Sequence, residues 1–290
     1  MATTQRYRSI RTVLWVVLVL NIAVASAKLA YGLISHSAAM QADGFASFFD
    51  GASNVIGLVG MWFAARPADE QHPYGHAKFE TFAAALIGIL LVFAGYTVGR
   101  GAIDSLSGRG AATEVTSISF AIMLGTLAVN VLVTTWERRA GKRLSSEILV
   151  ADASHTLSDV FVSCGVMVSL VIVRLGFEQA DGLVALLVAV VIFHTAWTIL
   201  RGVMHTLGDA ARLPADELAA VACAVPGVVS SHGVRTRGAE SHVWVDLHLE
   251  VPPSTTVAES HDIAHRVEEA LRHEYGQITD VVIHVEPARE

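Results

Sequence analysis

Apolar runs recur from Val13 to about Leu207, each close to the ~20 residues a helix needs to cross a bilayer. They predict six membrane-spanning helices, at about 12–34, 38–65, 80–103, 114–136, 146–174 and 181–206. The first run is too long for the apolar segment of a cleavable signal and lacks a clear small-residue cleavage site before the second, so it reads as a span. After Asp209 the pattern changes to short alternating signals. Residues 214–225 predict a short helix, with Pro214 at its start and Pro226-Gly227 beyond its end. Residues 242–250 alternate strictly, which places Val243, Val245, Leu247 and Leu249 in a core and His242, Trp244, Asp246, His248 and Glu250 on the opposite face. Thr256 to Tyr275 predicts an amphipathic helix stopped at Gly276. Residues 281–286 alternate again, with Val281, Ile283 and Val285 inward and His284 and Glu286 on the open face. A further strand near 228–237 completes an αββαβ order. The expected fold is a membrane α-helical domain over residues 1–208, followed by a small α+β domain over residues 209–290.

Composition supports that division. The 290 residues are 53% hydrophobic and 16% charged, below the ~25% charge of a soluble domain. Disorder, collagen and disulfide scaffolds are excluded, and Cys164 and Cys223 form no CxxC, so a thiolate zinc site is unavailable. Bases gather on one side of the six spans: Arg6, Arg8 and Arg11 before the first, Arg66 and Lys78 between the second and third, and Arg138, Arg139, Lys142 and Arg143 between the fourth and fifth. The positive-inside rule therefore puts both termini and the small domain in the cytoplasm of a multi-pass membrane protein. The net charge of -7 is concentrated in the tail, where 14 Asp and Glu stand against 6 Arg after residue 208. An acidic tail disfavours nucleic acid as a partner and is compatible with cations or with simple solvation.

Ionisable residues inside spans are costly and mark function by default. Span two carries Asp43 and Asp50, and span five carries Asp152, His155 and Asp159. The segments Ala42–Asp50 and Ala151–Asp159 overlay at a constant offset, which places Asp on Asp twice. His155 and Asp159 are i,i+4 and share one helical face. With Asp50 from the matching helix they supply three imidazole and carboxylate ligands, a set suited to zinc and less specifically to iron, manganese, cobalt or cadmium. Symmetry would draw a fourth ligand from Ala46, which cannot coordinate, so water, Ser47 or Asn54 must substitute in a tetrahedral site. Asp43 lies ~10 Å along the helix axis from Asp50. Asp43 and Asp152 read equally well as the mouth of an ion pathway or as helix-end residues near water. The alternative for the whole set is a buried polar network that merely holds helices together.

These residues resemble the cation diffusion facilitator family over essentially the whole chain. The resemblance rests on the six spans, Asp50 with His155-xxx-Asp159, the segment Pro67-Ala68-Asp69-Glu70-Gln71-His72-Pro73-Tyr74-Gly75-His76-Ala77-Lys78-Phe79-Glu80, and the αββαβ tail, which looks like a metallochaperone. It implies a homodimeric exporter of divalent metal cations driven by proton antiport, with metal also bound in the cytoplasmic domain at the dimer interface. By that resemblance Asp50, His155 and Asp159 are the transport site. The family has Asp or His where this chain has Ala46, so the chain departs from the family's ligand set at that position. Asp69, His72 and His76 match a second site after span two, where Pro73 and Gly75 argue against a regular helix and a solvated loop is an equal reading of the residues themselves. His232, His248, His261, His284 and Glu286 match a cytoplasmic cluster, against the plain alternative of a hydrated surface. Lys78 and Asp209 match an interlocking salt bridge, whereas His194, His205, His265 and His273 read as surface or interhelical residues.

The expected function is efflux of a divalent metal, zinc foremost, from the cytoplasm by alternating access. A metal-sensing scaffold that does not conduct is the second expectation, supported by Ala46. An intramembrane metalloenzyme is disfavoured by the absence of HExxH, GxSxG or a general base beside the three ligands.

Overall fold

The computed structural model describes residues 2–34, 38–107, 117–174 and 180–288, and the side chains of residues 34–50 and several others within the helices lie outside that description. Among the described residues the chain forms six long helices, α1 (Ala2–Ile34), α2 (Ala38–Ala64), α3 (Lys78–Leu106), α4 (Ser117–Arg143), α5 (Glu147–Arg174) and α6 (Ala180–Leu207). They are followed by α7 (Ala215–Cys223), β1 (Ser230–Ala239), β2 (His242–Val251), α8 (Val257–Glu274) and β3 (Ile278–Pro287). Two compact units result, Met1–Val203 and Met204–Glu290.

In the first unit, α1, α3 and α6 hold apolar stretches of 26, 27 and 26 residues, long enough to span a bilayer with some tilt. Their outward faces carry Trp15, Val19, Phe93, Leu187 and Trp197, all exposed. Exposed aliphatic and aromatic residues on this scale suit a lipid solvent. The inward faces meet in a cluster formed by Ile10, Leu14 and Val17 of α1, Met61 of α2, Ala83 of α3, Val133 of α4 and Ile148 of α5. Gly60 permits close contact there, since a Cβ would stand 2.4 Å from that of Ala83. A second cluster joins Leu91 of α3 to Val188, Ile192 and Ala196 of α6.

A half-buried arginine ties one end of this bundle together. Arg6 of α1 donates from Nε to the Leu144 carbonyl at 2.7 Å and from Nη2 to the Ser145 carbonyl at 2.8 Å. Its Nη2 also reaches Glu80 of α3 at 2.9 Å. One guanidinium therefore fixes α1 to α3 and to the α4–α5 turn, a use that its fork of donors allows and an ammonium would not.

The second unit is an αββαβ sandwich with strand order β1-β2-β3, β1 antiparallel and β3 parallel to β2. Burial along β2 alternates as its sequence predicts, with Val243, Val245, Leu247 and Leu249 buried and the intervening residues half-buried. The apolar face packs on Leu218 and Ala222 of α7 and on Val267 and Leu271 of α8. A full capping box starts α8: Thr256 accepts from the Glu259 amide at 3.3 Å, and Glu259 accepts from the Thr256 amide at 2.8 Å. Both helices cover one face, which leaves the other free for chemistry.

Candidate metal centres

On the open face of the sheet, register decides which side chains meet. His232 of β1 pairs with His248 of β2, and His248 with His284 of β3. Glu286, two residues beyond His284, projects from the same face. The His248 Nδ1 lies 2.9 Å from Glu286 Oε1, His284 Nε2 lies 3.5 Å from the same oxygen, and His232 Nε2 lies 3.7 Å from Glu286 Oε2. The three rings stand 5.1 and 4.9 Å apart between successive centroids. Hydrogen bonding to His248, reinforced by the surrounding imidazoles, holds the Glu286 carboxyl below its ordinary 4.5. A carboxylate circled by three imidazoles is a set of donors that zinc or a neighbouring divalent ion takes without rearranging the sheet.

The backbone makes a local concession for this arrangement. Between His232 and Arg235 the β1 ladder contains a bulge, and Gly233 within it has φ +63°. A Cβ at Gly233 would stand 3.2 Å from His248 Cδ2, so the position needs glycine for both its conformation and its proximity. The structure does not bring His261 to this cluster within one chain. His261 is exposed on α8, which covers the opposite face of the sheet, and its ring sits 4.8 Å from that of His265.

Between α2 and α3 a loop gathers Asp69, His72 and His76. Asp69 Oδ1 accepts from the backbone amides of His72 at 2.7 Å and Gln71 at 3.0 Å. The His72 amide bond is the main reason that the Asp69 carboxyl lies below its ordinary 3.8. The three ligand-bearing atoms lie within 4.8 Å of one another. His72 Nδ1 is 3.3 Å from Asp69 Oδ1, and His76 Nε2 is 3.4 Å from Oδ2. Pro73 and Gly75 prevent a helix here, as their residue types predict, and a turn brings the two rings to 4.3 Å.

His76 is also oriented from behind. Its Nδ1 lies 3.0 Å from the Pro67 carbonyl, which can only accept, so Nδ1 carries the proton in the neutral ring. That tautomer leaves the Nε2 lone pair aimed toward Asp69, the arrangement by which an outer hydrogen bond prepares a histidine for a metal.

Within the bundle, His155 is buried on α5 with its Nδ1 unpartnered, and Asp159 follows one turn later, half-buried. Asp43, Ala46, Ser47 and Asp50 fall on the part of α2 whose side chains lie outside the described residues. Asn54, a possible fourth ligand, is fully buried, and its amide is committed at both ends. Its Oδ1 accepts from Asn21 at 2.8 Å, and its Nδ2 donates to Asp152 Oδ2. Asp152 itself is fully buried, which removes the helix-end reading of that residue. The sequence reading ends the fourth span at residue 136 and passes over Glu137, which is fully buried on α4.

Residues 14–207 match the cation efflux transmembrane domain, and residues 213–288 match the cation efflux protein cytoplasmic domain. The chain is 32% identical over 253 residues to the uncharacterized transporter MJ0449 of Methanocaldococcus jannaschii, spanning 87% of this chain and 89% of that protein. It is 28% identical over 270 residues to the manganese efflux system protein MneS of Bacillus subtilis, spanning 92% of each. Cation-efflux pump FieF of Serratia proteamaculans is 29% identical over 244 residues, spanning 83% of this chain and 80% of that one. Among solved structures, the copper form of the MamM CTD aligns with 26% of this chain and 72% of its own, at 26% identity and a TM-score of 0.25.

Proposed function

Since the chain belongs to the cation efflux family, the cation diffusion facilitators, we propose that it exports Zn²⁺, or the related ions Fe²⁺, Mn²⁺, Cd²⁺ or Co²⁺, in exchange for protons. Family membership makes it a multi-pass membrane transporter of divalent metal cations. The finer assignments rest on the site chemistry. The observation that carries them is His155, buried inside a helix of the membrane unit with an unpartnered ring nitrogen and a carboxylate one turn away.

In this reading the ion enters from the cytoplasm and is held by Asp50, His155 and Asp159. An imidazole ligates only when neutral, so loading the metal expels a proton and protonation expels the metal. A single site thereby couples the two fluxes, and rearrangement of the bundle exposes it alternately to each side. Water or the Ser47 hydroxyl completes the coordination that Ala46 cannot, since Asn54 is engaged by Asn21 and Asp152.

Residues 1–208 are assigned to transport and 209–290 to cytoplasmic regulation and dimerisation, with both termini in the cytoplasm of a cell-membrane protein. The tail cluster of His232, His248, His284 and Glu286 would take regulatory metal and tie two protomers together. His261, far from the cluster in its own chain, would join from the second protomer. The loop ligands Asp69, His72 and His76 form a further metal site near the membrane surface.

The test is flux in proteoliposomes. Purified protein under an imposed pH gradient is expected to accumulate Zn²⁺ or Mn²⁺, and Asp50→Ala to abolish that uptake. Native-rate uptake by Asp50→Ala would reject the transport site. Absence of flux for every ion, with metal still bound by the tail, would favour a non-transporting sensor.

A further inference from the structure

One turn from His155 toward the start of α5, two carboxylates meet; Asn54 and Ser53 donate to Asp152, and Glu137 receives no donor. Glu137 of α4 and Asp152 of α5 are both fully buried, and their side chains lie within hydrogen-bonding reach of each other. Ionised carboxylates only accept, so neither can satisfy the other. Both oxygens of Glu137 and Oδ1 of Asp152 are accordingly without a partner. A third group is in the same condition. The Thr134 hydroxyl, one turn from Glu137 on the same face of α4, is buried and unpartnered. The neighbouring bases do not compensate the pair from their own helix, because Arg138 and Arg139 are exposed on its other faces.

Two negative charges so placed demand an occupant. One shared proton would leave a net charge of about -1 and would bridge only two of the four orphaned oxygens. A divalent cation cancels both charges and can engage all four. We propose that Glu137, Asp152 and Thr134 form a second divalent-cation station inside the bundle, which receives the ion before it reaches the transport site. This rests on the transport reading above. The rise of about 4.5 Å between Asp152 and His155 lets the ion pass from one site to the other without meeting lipid.

The donor set also gives the station a preference. All its ligands are oxygens, whereas the transport site contains an imidazole. Oxygen donors favour hard ions such as Mn²⁺ or Mg²⁺, while imidazole suits Zn²⁺. The entry step and the transport step therefore select on different chemistry.

Equilibrium binding of Mn²⁺ to full-length protein in nanodiscs tests the station. Asp50→Ala, His76→Ala and His248→Ala together dismantle the transport, loop and tail clusters while leaving the station intact. That background is expected to retain about one tight equivalent of Mn²⁺ per protomer, and addition of Glu137→Gln to remove it. Glu137→Asp keeps the charge and should retain the equivalent at lower affinity, which separates ligand loss from misfolding. The proposal is overturned if the background binds no Mn²⁺, or if Glu137→Gln leaves the equivalent in place. It is also overturned if infrared spectra of Mn²⁺-saturated protein keep a carboxylic-acid band that Glu137→Gln erases, since a proton would then be the occupant. Flux by wild type and Asp50→Ala is read separately, so failure of transport and failure of the station are distinguishable.

Discussion

Gly233→Ala imposes two penalties on the tail cluster that can be told apart. The first is conformational: an L residue held at φ +63° costs about 1–2 kcal/mol. The second is steric, because the new methyl would stand 3.2 Å from His248 Cδ2 and the ring must yield by a few tenths of an ångström. That ring holds the shortest contact in the cluster, 2.9 Å to Glu286. If its displacement forfeits about 1.4 kcal/mol of ligand binding, metal affinity at the tail falls about tenfold. Gly233→Asn separates the two, since asparagine tolerates the left-handed region yet carries the same Cβ. Hydrogen exchange of the β1 and β2 amides and zinc titration should be measured on the same full-length protein. Gly233→Ala is expected to lose exchange protection and affinity together, and Gly233→Asn to recover most of the protection but little of the affinity. Native behaviour of Gly233→Ala in both assays would refute the steric argument, and full recovery of affinity by Gly233→Asn would assign the effect to the backbone.

Further outcomes follow from the same geometry. Arg6→Met should destabilise the bundle by about 3–5 kcal/mol, because it strands Glu80, and Arg6→Met with Glu80→Leu should restore much of that loss; thermal unfolding in detergent reads both. His76→Gln should abolish metal binding in the α2–α3 loop, whereas His76→Ala in the presence of added imidazole should recover part of it, as metal titration would show. Glu286 has a lowered folded pKa, so its contribution to tail stability is complete above the unfolded value near 4.5 and disappears as pH falls through the lower folded value. Metal-free Glu286→Gln should lack that acid-limb component in unfolding followed between about pH 6 and pH 2.

The six long helices and the αββαβ tail were legible because each kind of element leaves its own period: apolar runs for the first, alternation at 242–250 and 281–286 for the strands. The sheet-face histidines were legible for the same reason, since His248, His284 and Glu286 occupy the polar phase of their strands. His232 was harder. It shares a face with Arg235 only because the bulge inserts an odd residue between them, and no period reveals a bulge in advance. The detachment of His261 from its own chain's cluster follows from α8 packing on the opposite sheet face, a tertiary fact. Glu137 escaped because it precedes Arg138 and Arg139 and so resembles the start of a basic loop. Its helical neighbours carried the signal: Val133, Thr134, Ala140 and Gly141 stand three or four residues away, and all four form the buried stripe on which Glu137 falls. A lone acid on an otherwise small and apolar stripe was the sign to read.

In the proposed mechanism one intramembrane site exchanges metal for protons. Metal uptake and proton release recorded together in the same proteoliposomes, wild type against His155→Gln, test it most directly. In wild type each flux is expected to require the other, and His155→Gln, which keeps a polar side chain but can neither ligate as imidazole nor carry the exchanged proton, is expected to lose both. Metal uptake that persists in His155→Gln at the native rate, or proton flux in wild type with no metal present, would contradict it.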